Sequence, residues 1–189
     1  FKVYAWVDKG YYDVGDTVAA HFSAQTLDNK PVSGAGVLKL FSVSYDDQAK
    51  PVEKPVQEWA LNPKEDGTAD LQIHAQTAGQ YRLSYMVTDS KGRSIEGGYV
   101  FVIRGKGFDG KSFRFNDIEV VTDKKQYAAG EKVRLMVNTN RADATVLLFI
   151  RPTNGVYLAP EVIRLKGKSV VREVEVGKKD MPNFFIEGL

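Results

Sequence analysis

The stretch Asp8-Lys9-Gly10-Tyr11-Tyr12-Asp13-Val14-Gly15-Asp16-Thr17-Val18 returns 115 residues later as Asp123-Lys124-Lys125-Gln126-Tyr127-Ala128-Ala129-Gly130-Glu131-Lys132-Val133. The shared skeleton is Asp-Lys-x-x-Tyr-x-x-Gly-acid-x-Val. Each copy runs into an alternating apolar series, Val18, Ala20, Phe22 and Ala24 in the first and Val133, Leu135 and Val137 in the second. Alternation with period two is the mark of a strand with one face buried and one wet. A glycine turn between two extended segments opens a β-rich unit, and a repeat of this length covers a whole domain. The sequence therefore reads as two copies of one β module: residues 1–105, a linker over 106–116, and residues 117–189.

The first module breaks into short strands punctuated by turns. Phe1–Val7 and Thr17–Thr26 come first, closed by the turn Asp28-Asn29-Lys30-Pro31. Val37–Val43, apolar on both faces, reads as a central strand, and Tyr45–Pro55, with two prolines and several charges, reads as a loop. Val56–Leu61 follows, then the Asp66-Gly67 turn, a strand through Ala69, Leu71 and Ile73, and one with Tyr81, Leu83, Tyr85 and Val87 inward. Asp89-Ser90-Lys91-Gly92 turns the chain into a last strand through Tyr99, Phe101 and Ile103. About seven strands at such spacing predict an all-β, immunoglobulin-like sandwich. Tyr81 occupies the place of a tyrosine corner, and Leu83, two residues on, stands where disulfide-bonded sandwiches carry cysteine.

The second module reads as six strands: Ile118–Thr122, Lys132–Thr139, Val146–Ile150, Val156–Leu165, Val170–Val176 and Phe184–Ile186, with Asn154-Gly155 as a hairpin turn. Being shorter than the first, it is expected to lack its last strand or strands. An opening Phe1 in place of Met points to a segment of a longer polypeptide with any targeting signal outside it.

Composition excludes several kinds of chemistry. With no cysteine there is no disulfide, thiol nucleophile or thiolate metal site. A net charge of +2 gives no reason to expect nucleic acid or an anionic membrane as partner. The basic residues Lys106, Lys111 and Arg114 read as a solvated linker, and Phe108, Phe113 and Phe115 within it are expected to pack at the joint between modules. His21 falls on the outward face of its strand and His74 at a strand end, neither with a second metal ligand nearby. Asp46 with Asp47, and Glu65 with Asp66, are adjacent carboxylates in loops, expected to be solvated. Gly105-Lys106-Gly107 and Gly97-Gly98 lack the spacings of phosphate loops, and no Asp-x-Asp series marks calcium. In the repeated motif, Gly15 and Gly130 are expected at positive φ, Tyr12 and Tyr127 to close the sandwich end, and Asp16 and Glu131 to bond turn amides or stay wet. No catalytic, cofactor-binding or metal-ligating residue is expected, and no enzyme activity.

The doubled motif, together with Asn116-Asp117-Ile118-Glu119-Val120-Val121-Thr122 and Asp180-Met181-Pro182-Asn183-Phe184-Phe185, resembles the bacterial α2-macroglobulin family, in particular the macroglobulin-like domains that adjoin the bait-region domain. The second module resembles the bait-region domain itself, most tellingly at Arg164-Leu165-Lys166-Gly167-Lys168-Ser169 and Met181–Phe184. The resemblance implies tandem seven-stranded sandwiches in a broad-spectrum endopeptidase inhibitor that traps proteinases after bait cleavage. It implies partners in the other domains of the parent chain and in target proteinases, and a periplasmic or cell-envelope location. The thioester motif Cys-x-Glu-Gln that many members carry is absent.

Two other classes fit a tandem sandwich. One is a cell-surface adhesion or spacer module, which further copies of the same domain on either side would favour. The other is a carbohydrate-binding accessory domain, for which Trp6 and Trp59 are the candidate residues.

Overall fold

The computed structural model describes residues 1–152 and 158–189. The expected Asn154-Gly155 hairpin and the start of the expected strand at Val156 lie outside the described residues. By internal packing the chain divides into unit 1, Phe1–Asp8 with Tyr12–Gly105, and unit 2, Lys9–Tyr11 with Lys106–Leu189.

Unit 1 is an all-β sandwich. Its strands are β1 (Lys2–Val7), β2 (Tyr12–Asp13), β3 (Thr17–Gln25), β4 (Gly34–Tyr45), β5 (Pro51–Ala60), β6 (Thr68–His74), β7 (Gly79–Asp89) and β8 (Ser94–Arg104). One sheet has the order β1-β3-β6, the other β2-β8-β7-β4-β5. All pairings are antiparallel except β2 with β8. Alternation decides which side chains enter the core. Val18, Ala20, Phe22 and Ala24 from β3 meet Tyr81, Leu83, Tyr85 and Val87 from β7, all of them buried. Phe22 and Tyr85 pack with ring centroids 4.6 Å apart. The Tyr81 hydroxyl donates to the Thr77 carbonyl at 2.9 Å, tying the start of β7 to the preceding loop.

Residues 45–55 do not form the expected loop. β4 continues to Tyr45, Asp46–Lys50 makes a tight turn, and β5 begins at Pro51. The two prolines are tolerated because β5 is an edge strand, paired only with β4, where a missing N–H need break no ladder bond. The register slips beside Pro55: Leu40 faces Gln57 while Phe41 faces Pro55, so Val56 is the extra residue of a bulge.

Unit 2 uses β9 (Ile118–Thr122), β10 (Lys132–Thr139), β11 (Thr145–Pro152), β12 (Glu161–Arg164), β13 (Ser169–Glu175) and β14 (Phe184–Gly188), with one 3-10 turn at Lys178–Asp180. Its two sheets are β13-β10-β9 and β12-β11-β14. The plan repeats that of unit 1. β9, β10 and β13 take the places of β1, β3 and β6, and β12, β11 and β14 those of β5, β4 and β7. Val133, Leu135, Val137, Val146, Leu148 and Ile163 form the buried centre. No helix among the described residues is long and apolar enough to cross a membrane.

Candidate functional site

The repeated motif folds the same way twice. Gly15 has φ +99° and Gly130 φ +91°. In unit 1 the Gly15 N–H donates to the Ala75 carbonyl at 2.8 Å, and the Ala75 N–H returns a bond to the Asp16 carbonyl at 2.9 Å. In unit 2 the Gly130 N–H donates to the Val176 carbonyl at 2.7 Å, and the Val176 N–H to the Glu131 carbonyl at 2.9 Å. The acid closes its own turn in each case. The Asp13 N–H reaches Asp16 Oδ2 at 3.2 Å, and the Ala128 N–H reaches Glu131 Oε2 at 2.8 Å. The motif is thus a clamp that fastens the entrance of one strand (β3 or β10) to the exit of another (β6 or β13). Its glycine N–H and one oxygen of its acid are committed to backbone.

The tyrosines of the motif differ. Tyr12 is buried and meets Phe101 edge-on, with centroids 6.0 Å apart. The Tyr127 hydroxyl donates to Asp123 Oδ1 at 2.6 Å and accepts from the Lys124 N–H at 2.9 Å. Burial first, then the neighbouring Asp123, pushes the Tyr127 phenol up to about 12.

His21 stands on the outer face of β3, as its alternation requires, and there meets partners from neighbouring strands. Nδ1 lies 2.8 Å from Asp70 Oδ1 and Nε2 lies 2.9 Å from Asp8 Oδ1. Trp6 stacks on the ring with centroids 5.7 Å apart. The cross-strand row Trp6–His21–Asp70 explains the cluster, since these residues sit opposite one another in β1, β3 and β6. A hydrogen bond from Lys64, then one from His21, holds the Asp70 carboxyl below the usual carboxylate range. Carboxylates take both ring nitrogens, so neither is turned toward a hydroxyl nucleophile. Sequence reading misses this cluster because its members are far apart in the chain, and only strand register joins them.

The other candidates are accounted for locally. Asp46 Oδ1 accepts the N–H groups of Gln48 and Lys50 and so shapes the β4–β5 turn. Asp66 Oδ1 accepts both the hydroxyl and the N–H of Thr68, and these bonds hold its carboxyl low. His74 is exposed at the end of β6, and Trp59 is half-buried against the core. Among the described residues no three His, Asp or Glu side chains gather as a metal set would. In the 106–116 segment Phe108 meets Phe113 at a tilt and Phe113 meets Phe115 edge-on, with ring centroids 5.3 and 6.1 Å apart. The Asp109 carbonyl there accepts from the N–H groups of Lys168 and Ser169.

Unit 2 contains a cleft of about 570 Å³ bordered by Val120, Lys125, Tyr127, Asp180, Phe184 and Ile186. Asp180 is only 4% exposed. Its Oδ2 accepts the Gly177 N–H at 2.8 Å, whereas its Oδ1 is buried without a hydrogen-bond partner among the described residues.

No protein-family model matches the sequence, and no curated protein does. Solved structures similar to it include trypsin-activated α2-macroglobulin from Escherichia coli, at 11% identity and TM-score 0.43, covering 99% of this chain and 16% of that one. Salmonella α2-macroglobulin reacted with methylamine aligns at 13% identity and TM-score 0.36, covering 100% of this chain and 14% of that one. This chain therefore spans well under two thirds of the length of either macroglobulin. The fibronectin(III)-like modules of Clostridium thermocellum CbhA align at 11% identity and TM-score 0.33, covering 95% of this chain and 97% of theirs.

Proposed function

We propose that this chain is a non-catalytic tandem β-sandwich scaffold from a bacterial α2-macroglobulin-type endopeptidase inhibitor of the periplasm or cell envelope. The observation that carries the reading is the twice-formed clamp. A motif that resembles the macroglobulin-like turn opens two units of one strand plan, and its Gly and acid are spent on fastening strands. Sandwiches fastened strand to strand in this way suit the wall of a molecular trap, where the work is to hold shape while a proteinase cuts a bait segment elsewhere. The partners in this reading are the other domains of the parent chain and the proteinases it captures.

The test uses the full-length parent protein. It is incubated with several unrelated proteinases, and each mixture is assayed on a small peptide substrate and on a large protein substrate. Entrapment requires activity retained on the small substrate and lost on the large one. Equal activity on both would overturn the reading. A second reading, a surface adhesion or spacer module, draws on Tyr4 and Trp6, which are 47% and 37% exposed and lie two residues apart on one outer sheet face. Saturable binding of the chain to a glycan or host-cell protein, abolished by Trp6→Ala, would favour it.

A further inference from the structure

The net charge of +2 is unevenly shared. Unit 2 holds 16 of the 26 Lys and Arg and 11 of the 24 Asp and Glu, which gives it +5 and leaves unit 1 at −3. Part of that excess gathers at one end of unit 2, where three internal loops meet: the 106–116 segment, the β10–β11 loop and the β12–β13 turn. Backbone bonds stitch them together. The Lys168 and Ser169 N–H groups donate to the Asp109 carbonyl at 2.7 and 3.0 Å, and the Asp143 N–H donates to the Gly167 carbonyl at 3.0 Å. Lys168 Nζ donates to the Phe113 carbonyl at 3.0 Å. A Cβ at Gly167 would lie 2.6 Å from the Asp109 carbonyl oxygen, so only glycine permits this approach. Around the knot Lys111, Arg114, Arg141, Arg164 and Lys166 are all exposed. The acids there are Asp117, Asp143 and Asp109, whose Oδ2 lies 3.5 Å from Lys111 Nζ.

A shallow depression of about 470 Å³ opens at this end, lined by Arg114, Phe115, Asn116, Asp117, Ile118 and Asn140. Buried Phe115 and half-buried Ile118 supply its apolar part. Arg114 offers donors, the Asp117 carboxylate offers acceptors, and the Asn140 amide offers both. Asn116 is committed to Glu119, whose Oε1 accepts its N–H and its side-chain amide at 2.9 and 2.8 Å. Among the described residues no hydrogen bond engages the Asp117 carboxylate or the Asn140 side-chain amide.

This mixture selects among anions. Phosphates of a lipid surface or a nucleic acid accept hydrogen bonds, so a carboxylate among the cations opposes them. Among the described residues no large apolar side chain at this end is exposed to enter a bilayer or to stack on a base. Phe108 and Phe113 are half-buried against one another, and Phe115 is buried. A sugar ring that bears a carboxylate suits every group present. Its carboxylate accepts from a guanidinium, its hydroxyls donate to a carboxylate and exchange bonds with an amide, and its C–H face covers the apolar wall. We propose that the loop end of unit 2 binds an acidic polysaccharide built of uronic acid residues. One ring sits in the depression, its carboxylate on Arg114 and its hydroxyls on Asp117 and Asn140. Carboxylates of neighbouring rings meet Arg141 and Lys166. The site stands apart from the scaffold reading, and the entrapment assay can fail without touching it.

The probe is fluorescein-labelled hexagalacturonate, titrated into the intact chain by anisotropy. Saturable binding is expected, and the resonances of the Asn140 side-chain amide should shift with it. The methyl-esterified hexamer keeps every ring and loses every charge, and it should bind about tenfold more weakly or worse. Arg114→Gln should weaken binding about tenfold, and so should Asp117→Ala. The Asp117 variant decides by sign. On a surface that merely attracts polyanions, losing a negative charge strengthens binding; here it removes the hydroxyl acceptor and weakens it. Tighter binding by Asp117→Ala would overturn the proposal, as would absence of saturable binding or equal affinity for the ester. Inorganic polyphosphate or phosphatidylglycerol vesicles binding more tightly than hexagalacturonate would overturn it too, and would make phosphate the ligand. The ester comparison changes the ligand alone, so a folding defect in either variant does not spoil the test.

Discussion

At Gly130 the backbone alone sets the residue type. A Cβ built there meets no heavy atom within 4 Å, yet φ is +91°, a region that β-branched side chains avoid. Gly130→Val should therefore destabilise unit 2 by about 1–3 kcal/mol, without any clash. Urea unfolding checks this, and an unchanged midpoint would show that the turn tolerates a side chain. This glycine was legible in the sequence because a repeated Gly-acid pair leaving one strand and entering another demands a special conformation. Asp180 was not legible. In Lys178-Lys179-Asp180 it looks like a solvated loop acid, and its burial arises from packing that no local pattern encodes.

β7 shows how much one strand's alternation conveys. Its inward Tyr81, Leu83, Tyr85 and Val87 are the residues that period two selects, and all are buried. The corner hydroxyl can be isolated: Tyr81→Phe keeps the ring and loses the bond to Thr77, which should cost about 0.5–1.5 kcal/mol in thermal or urea unfolding. Its outward Arg82 gathers Glu53 from β5 and Glu96 from β8. The Arg82 hydrogen bond chiefly lowers Glu53, and the Ser84 hydroxyl followed by Arg82 lowers Glu96. Carboxyls depressed in the fold stabilise it above their ordinary range, near pH 4.5, and lose that contribution as pH falls through the folded values. Arg82→Gln should thus destabilise unit 1 more at pH 7 than at about pH 2.5, and an equal loss at both would show that the ion pairs contribute nothing. β5 was the element least legible in sequence. Two prolines and mixed charge are loop signals, and only its position at a sheet edge makes them compatible with a strand.

Across the whole molecule, the two units share a strand plan and a clamp, and little else in sequence. Apolar alternation and the clamp predict the two sandwiches; strand register, which assembles Asp8, His21 and Asp70, is invisible until the sheets form. If the clamp works through backbone geometry, its two versions should be interchangeable. Replacing the unit 2 turn by that of unit 1 requires Ala128→Asp, Ala129→Val and Glu131→Asp. The shorter acid can still close the turn, as Asp16 does at 3.2 Å from the Asp13 N–H. What is lost is the exposed Lys124–Glu131 ion pair, a type of contact that contributes little in water. Val at 129 mirrors Val14, which is 46% exposed and makes no demand on the core. The triple variant should therefore move the urea midpoint of unit 2 by less than Gly130→Val alone. A larger shift would mean that the turn's side chains, and not its glycine and backbone bonds, hold the two strands together.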